Sequence, residues 1–129
     1  NYGTVLATIA DCDKEEALPL IRRFYNLGFN IEATSGTAKF LKENGIRTHV
    51  LQKITEGGHE ILDSIRQGHI AYIINTRELN SSMKSASDGY EIRRAATENN
   101  VTIFTSLDTV KVLLDVLEET TLTISTIDS

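Results

Sequence analysis

The stretch Ala33-Thr34-Ser35-Gly36-Thr37-Ala38-Lys39-Phe40 sets three hydroxyl residues and a glycine between a strand-like and a helix-like segment. The first turn of a helix has amide protons without internal partners and the positive end of the dipole, so it favours an anion. Gly36 lets the backbone come close to a ligand, and Thr34, Ser35 and Thr37 can donate to phosphate oxygens. The same residues also make an ordinary helix cap, so the stretch by itself leaves both readings open. Its surroundings favour the anion. Lys14 follows the first strand-like segment and Lys53 the third, so both can reach the edge that carries residues 34–37 and neutralise a phosphate. Asn75 and Thr76 end the longest apolar segment, where they can hydrogen-bond a sugar or base, or simply form a turn.

Other chemistries find less support. HExxH, CxxC and GxGxxG patterns are absent, and His49, His59 and His69 do not have metal-ligand spacing. No GxSxG elbow supports a serine nucleophile. The single cysteine, Cys12, excludes an internal disulfide, and Asp11 and Asp13 beside it disfavour its thiolate. Asp11 and Asp13 also invite comparison with phosphoacceptor signalling domains, but a lysine is expected there after the fifth strand and Thr105-Ser106 stand in its place. Thirteen Lys and Arg against eighteen Asp and Glu give a net charge of −5, which opposes a broad nucleic-acid footprint. A small anion can still be held in one cleft. No apolar run approaches the roughly 20 residues of a membrane span, and no basic start followed by an apolar core marks a secretory signal. A cytoplasmic address is the expectation.

The elements that must position these residues alternate. Strands are expected over 3–10, 29–34, 46–52, 69–76 and 101–105, and helices over about 13–27, 37–44, 59–67, 88–99 and from 106 or 108 onward. Asp13 with Glu16 has the spacing of a capping box, and Pro19 leaves the start of that helix open between 13 and 16. Residues 77–87, with four Ser and one Asn, read as an exposed loop. The tail 121–127 is β-branched and alternating, so it reads as an extra edge strand or a tail. One domain over 1–129 is the result: a three-layer α/β fold, five parallel strands with helices on both faces. Ligands of such sheets sit beyond the carboxyl ends of the strands.

VLATIADCDKEEALPLIRRFYNLGFNIEATSGTAKFLKENGI, the LQKITEGGH loop, YIINT and DGYEIRRAA together resemble the carboxy-terminal allosteric domain of the large subunit of carbamoyl phosphate synthetase. The resemblance covers nearly the whole chain in order. That domain belongs to the methylglyoxal-synthase-like group, known for a five-stranded parallel sheet between helices. The resemblance implies a regulatory domain with no catalysis or cofactor of its own, within a ligase that makes carbamoyl phosphate from bicarbonate, glutamine-derived ammonia and ATP with Mg or Mn. It implies a nucleotide effector (UMP, IMP or phosphoribosyl pyrophosphate) and, as partners, the rest of the large subunit and through it the glutaminase small subunit, in pyrimidine or arginine biosynthesis. No nucleic acid and no membrane are expected as partners.

Carried across by motif, the effector residues are Lys14, Thr34, Thr37, Lys53, Asn75 and Thr76, with Ser35 and Gly36 in the same turn. Thr105 matches a threonine near a second effector, ornithine, at the domain boundary. Arg93 and Arg94 are candidates for ligand recognition or for docking on the rest of the synthetase, and Arg77 and Lys84 belong to a loop that departs from the relatives. The alternative is a methylglyoxal-synthase-like lyase acting on dihydroxyacetone phosphate. Such enzymes place a catalytic aspartate after paired glycines, whereas Gly57-Gly58 is followed here by His59. The purine-pathway cyclohydrolase of the same group is disfavoured by length.

Overall fold

Strands covered on both faces must be apolar almost throughout, and segments 4–8 and 70–75 meet that demand. This computed structural model of the chain describes residues 3–51, 60–76 and 92–128, the side chains of 60 and 121–128 excepted. The strands are β1 (Thr4–Thr8), β2 (Asn30–Thr34), β3 (His49–Leu51), β4 (Ile70–Asn75) and β5 (Thr102–Phe104). All pair in parallel, in the order β3-β2-β1-β4-β5. The helices are α1 (Lys14–Leu27), α2 (Ser35–Glu43), α3 (Glu60–Arg66), α4 (92–98) and α5 (Leu107–Asp128), with a 3-10 turn over Asp11–Asp13.

Successive side chains of a strand point to opposite faces, and the core divides accordingly. Val5, Ala7, Ile31, Ala33 and Ile74 share one buried cluster with Ile21 and Phe24 of α1, Leu41 of α2 and Leu114 of α5. Leu6 and Ile73 share the other with Ile61 and Ile65 of α3 and Ile92 and Ala96 of α4. Phe24 is fully buried, with Phe29 set edge-on at a centroid distance of 5.3 Å and Tyr72 at 6.1 Å. The expected three-layer α/β architecture is therefore the observed one.

The chain steps from β1 outward to β3, then returns to place β4 on the other side of β1. The gap between β1 and β4 is thus the switch point, where connections leave in opposite directions and a crevice opens beyond the carboxyl ends.

Local details differ from the sequence expectations for physical reasons. The Asp13–Glu16 capping box does not form: the Asp13 amide donates to the Ala10 carbonyl at 2.9 Å within the 3-10 turn. Asp13 is thereby held near helical angles (φ −102°, ψ −6°) rather than in the extended backbone a capping side chain needs. Helix α1 runs through Pro19 to Leu27 and stops at Gly28, whose φ of +106° is the left-handed conformation a glycine adopts without strain. Strand β3 begins at His49 rather than at 46 because Ile46 closes α2 instead, its amide donating to the Leu41 carbonyl at 3.0 Å. The tail 121–128 continues α5 as helix rather than adding an edge strand. Extending a helix already nucleated is cheap, and it outweighs a β preference that depends on having a neighbour to pair with.

Candidate functional site: a phosphate cradle at the strand ends

Thr34 ends β2 and stands at the N-cap of α2 with extended backbone (φ −70°, ψ 161°), yet its side chain makes no capping hydrogen bond. The amides of Ser35, Gly36 and Thr37 form the first turn, which has no intrahelical acceptors. Thr37 is only 3% exposed. Its hydroxyl accepts from the Ile9 amide at 3.2 Å and donates to the Ile9 carbonyl at 3.4 Å, so it ties α2 to the end of β1. What Thr37 leaves for a ligand is its backbone amide, where the sequence pointed to the hydroxyl.

Lys14 opens α1, and its side chain, 17% exposed, leans across to α2. A β-carbon built on Gly36 would lie 3.6 Å from the Lys14 ammonium. Lys14 also pairs with the Asp11 carboxylate, itself 84% exposed to solvent. A cation set against the positive end of a helix is unfavourable by itself and becomes favourable when an anion lies between them. Glycine at 36 keeps that space open.

The third wall is the end of β4. Register sets Thr8 beside Asn75, and the Thr8 hydroxyl donates to Asn75 Oδ1 at 2.6 Å. Among the described residues, Asn75 Nδ2 is buried and has no hydrogen-bond partner. The Thr76 hydroxyl accepts from the Ala10 amide at 3.0 Å and the Thr76 amide donates to the Thr8 carbonyl at 3.1 Å. The segment 8–11 is therefore pinned from both sides, by Thr37 and by Thr76. Lys14, Thr34, Ser35, Gly36, Thr37, Asn75 and Thr76 converge around it.

Lys53 and His59, and the loop with Arg77 and Lys84, lie outside the described residues. Thr105 lines an adjoining recess of about 250 Å³ with Asp13, Glu16, Thr76, Ser106, Leu107 and Asp108. Arg93 and Arg94 do not line that recess. Arg94 is exposed and sits 3.4 Å from Glu98 on its own helix. His69 Nε2 lies 3.5 Å from Glu32 Oε2, toward the amino ends of the strands and away from the cradle. Sequence reasoning missed Thr8 and the Lys14–Asp11 pair. The available signal for Thr8 was a polar residue closing an apolar strand, as Thr34 and Asn75 also do. Among the described residues no group of three His, Cys, Asp or Glu could hold a metal ion, and no helix is long and apolar enough to cross a membrane.

The MGS-like domain family matches residues 16–105, and the chain belongs to that family. Among solved structures it superposes on a methylglyoxal synthase from Elizabethkingia anophelis NUHP1 with a TM-score of 0.67 and 18% identity, over 88% of this chain and 78% of that one. On ForH the TM-score is 0.66 at 19% identity, over 90% of this chain and 78% of that one. At such identities the likeness establishes the fold. It also corrects one expectation: the sequence reading denied this domain any catalysis, yet the fold it matches is that of a structure solved as a methylglyoxal synthase. The non-catalytic assignment does not stand.

Proposed function

We propose that the chain binds a small phosphate ester at the switch point, with the phosphate between the first turn of α2 and Lys14. One observation carries this reading: the Lys14 ammonium faces Gly36 at the positive end of a helix whose N-cap side chain makes no cap bond. The amides of Ser35, Gly36 and Thr37 would donate to the phosphate oxygens, and Lys14 would neutralise them. Charge-assisted hydrogen bonds contribute about 1.5–3 kcal/mol each, so two or three reach micromolar affinity without a basic surface.

Once a ligand is bound, the likeness to a solved methylglyoxal synthase supports lyase chemistry, for which dihydroxyacetone phosphate would be the substrate. That is an analogy of fold. Forming methylglyoxal requires a proton to leave the carbon beside the carbonyl and phosphate to depart. The cradle would hold the leaving phosphate.

A second reading is a nucleotide-effector role as in the carbamoyl phosphate synthetase large subunit. It is favoured by the motif set and by the hydrogen-bonding groups of Asn75 and Thr76 next to the cradle, which suit a nucleoside. One experiment separates them: the chain is titrated with dihydroxyacetone phosphate, UMP and IMP, and methylglyoxal formation is followed in parallel. Turnover of dihydroxyacetone phosphate supports the lyase, and saturable nucleotide binding without turnover supports the effector role. Absence of binding by every phosphate ester in folded protein defeats both.

A further inference from the structure

An amide nitrogen sealed from water without an acceptor costs about 1–3 kcal/mol, and native structures keep few such groups. Among the described residues Asn75 Nδ2 is one, in a residue 5% exposed at the carboxyl end of β4, beside the end of β1. The other face of the same amide is committed. The Thr8 hydroxyl donates to Asn75 Oδ1 at 2.6 Å, the length of an O–H···O bond, with the amide assigned oxygen toward Thr8. Thr8 is held in turn, because its carbonyl accepts from the Thr76 amide at 3.1 Å.

We propose that Thr8 is a positioning residue: it locks the Asn75 amide so that the switch point presents a hydrogen-bond donor, which selects phosphate esters carrying a carbonyl acceptor. The inference rests on the phosphate-ester reading above and names the chemistry of the rest of that ligand. A carbonyl oxygen satisfies the orphaned nitrogen and, unlike a hydroxyl, brings no hydrogen that needs an acceptor in return. Two sources supply that chemistry. In a keto-sugar phosphate the carbonyl lies close to the phosphate, and in a pyrimidine nucleotide it lies on the base. Without the Thr8 hydroxyl the amide can turn and set Oδ1 against the ligand's oxygen, so a flipped population is lost to binding.

The test measures affinities of wild type, Thr8→Val, Thr8→Ala and Thr8→Ser for inorganic phosphate, dihydroxyacetone phosphate and UMP at one ionic strength. Thr8→Val preserves strand shape, Thr8→Ala gives a second route to the same loss, and Thr8→Ser restores the hydroxyl. Expected is a five- to tenfold weakening, about one neutral hydrogen bond, of whichever carbonyl ester binds wild type. Inorganic phosphate should stay within about twofold, and Thr8→Ser should behave as wild type. A merely structural Thr8 would weaken phosphate and ester alike. That result, unchanged ester affinity in Val and Ala, or a serine variant as impaired as valine, overturns the proposal. Failure of wild type to bind phosphate or either ester instead removes the underlying reading. Phosphate binding with no preference for either carbonyl ester spares the cradle and overturns only the role of Thr8.

Discussion

Replacing Gly36 by alanine should move stability and ligand binding in opposite directions. The added methyl would lie 3.6 Å from Lys14 Nζ, an ordinary van der Waals distance from the end of a flexible side chain, and α2 at this position is regular helix. The folded state therefore accepts it. Alanine also restricts the unfolded chain and suits a helix better, which contributes about 0.4–1 kcal/mol of stability. For a domain of this size that is roughly 2–5 °C in melting temperature. The same methyl occupies the gap in which a phosphate oxygen must come within about 3 Å of the amides. Losing one or two charge-assisted bonds, each about 1.5–3 kcal/mol, lowers affinity by roughly tenfold to a thousandfold or more. Calorimetric melting and titration with dihydroxyacetone phosphate or UMP read both quantities on one preparation. A Gly36→Ala protein that binds as tightly as wild type, or that is markedly destabilised, would be the contrary result.

Three further outcomes are expected. Lys14→Met should weaken phosphate-ester binding by about ten- to a hundredfold while changing unliganded stability by no more than about 0.5 kcal/mol, since the lost pair reaches an exposed Asp11; titration and urea unfolding check the two halves. Arg23 bridges α1 to α5 through Asp115 at 2.8 Å and Glu118, and Arg23→Met should cost about 1 kcal/mol, discounted for the partial exposure of the partners. The Glu118 carboxyl is held below its usual range by the hydrogen bond from Arg23, so this contribution is present above the unfolded value near pH 4.3 and is lost as pH falls; the melting temperatures of wild type and Arg23→Met should converge in acid. Gly28→Ala places a β-carbon at φ +106° and should destabilise by about 1 kcal/mol or more, as measured by chemical denaturation.

The centre of the sheet was legible because β1 and β4 are buried almost throughout. Ile73, Ile74, Val5, Leu6 and Ala7 leave no alternation to confuse with a surface strand. Helix stops were legible where glycine follows the apolar period, at Gly28, Gly45 and Gly68, each with positive φ. The tail was misread because β-branched alternation carries no information about whether a strand partner exists, whereas α5 was already running into it.

In the cradle, Lys14 and the turn 34–37 were readable from their places at strand ends. The use of the Thr37 hydroxyl was not, since its partner Ile9 lies 28 positions away and the contact exists only once β1 and β2 pair. The Thr8–Asn75 lock is likewise a product of register, across 67 positions of sequence. Strand-end polarity marks such residues as candidates, and only the pairing says what each one holds.

The proposed anion lies between the first turn of α2 and Lys14. Amide-resolved NMR of the whole chain, titrated with inorganic phosphate and then dihydroxyacetone phosphate or UMP at constant ionic strength, tests it most directly. Saturable shifts largest at the amides of Ser35, Gly36 and Thr37, and abolished by Lys14→Met, are the predicted result. Shifts that do not saturate, or that centre elsewhere on the sheet, would contradict it.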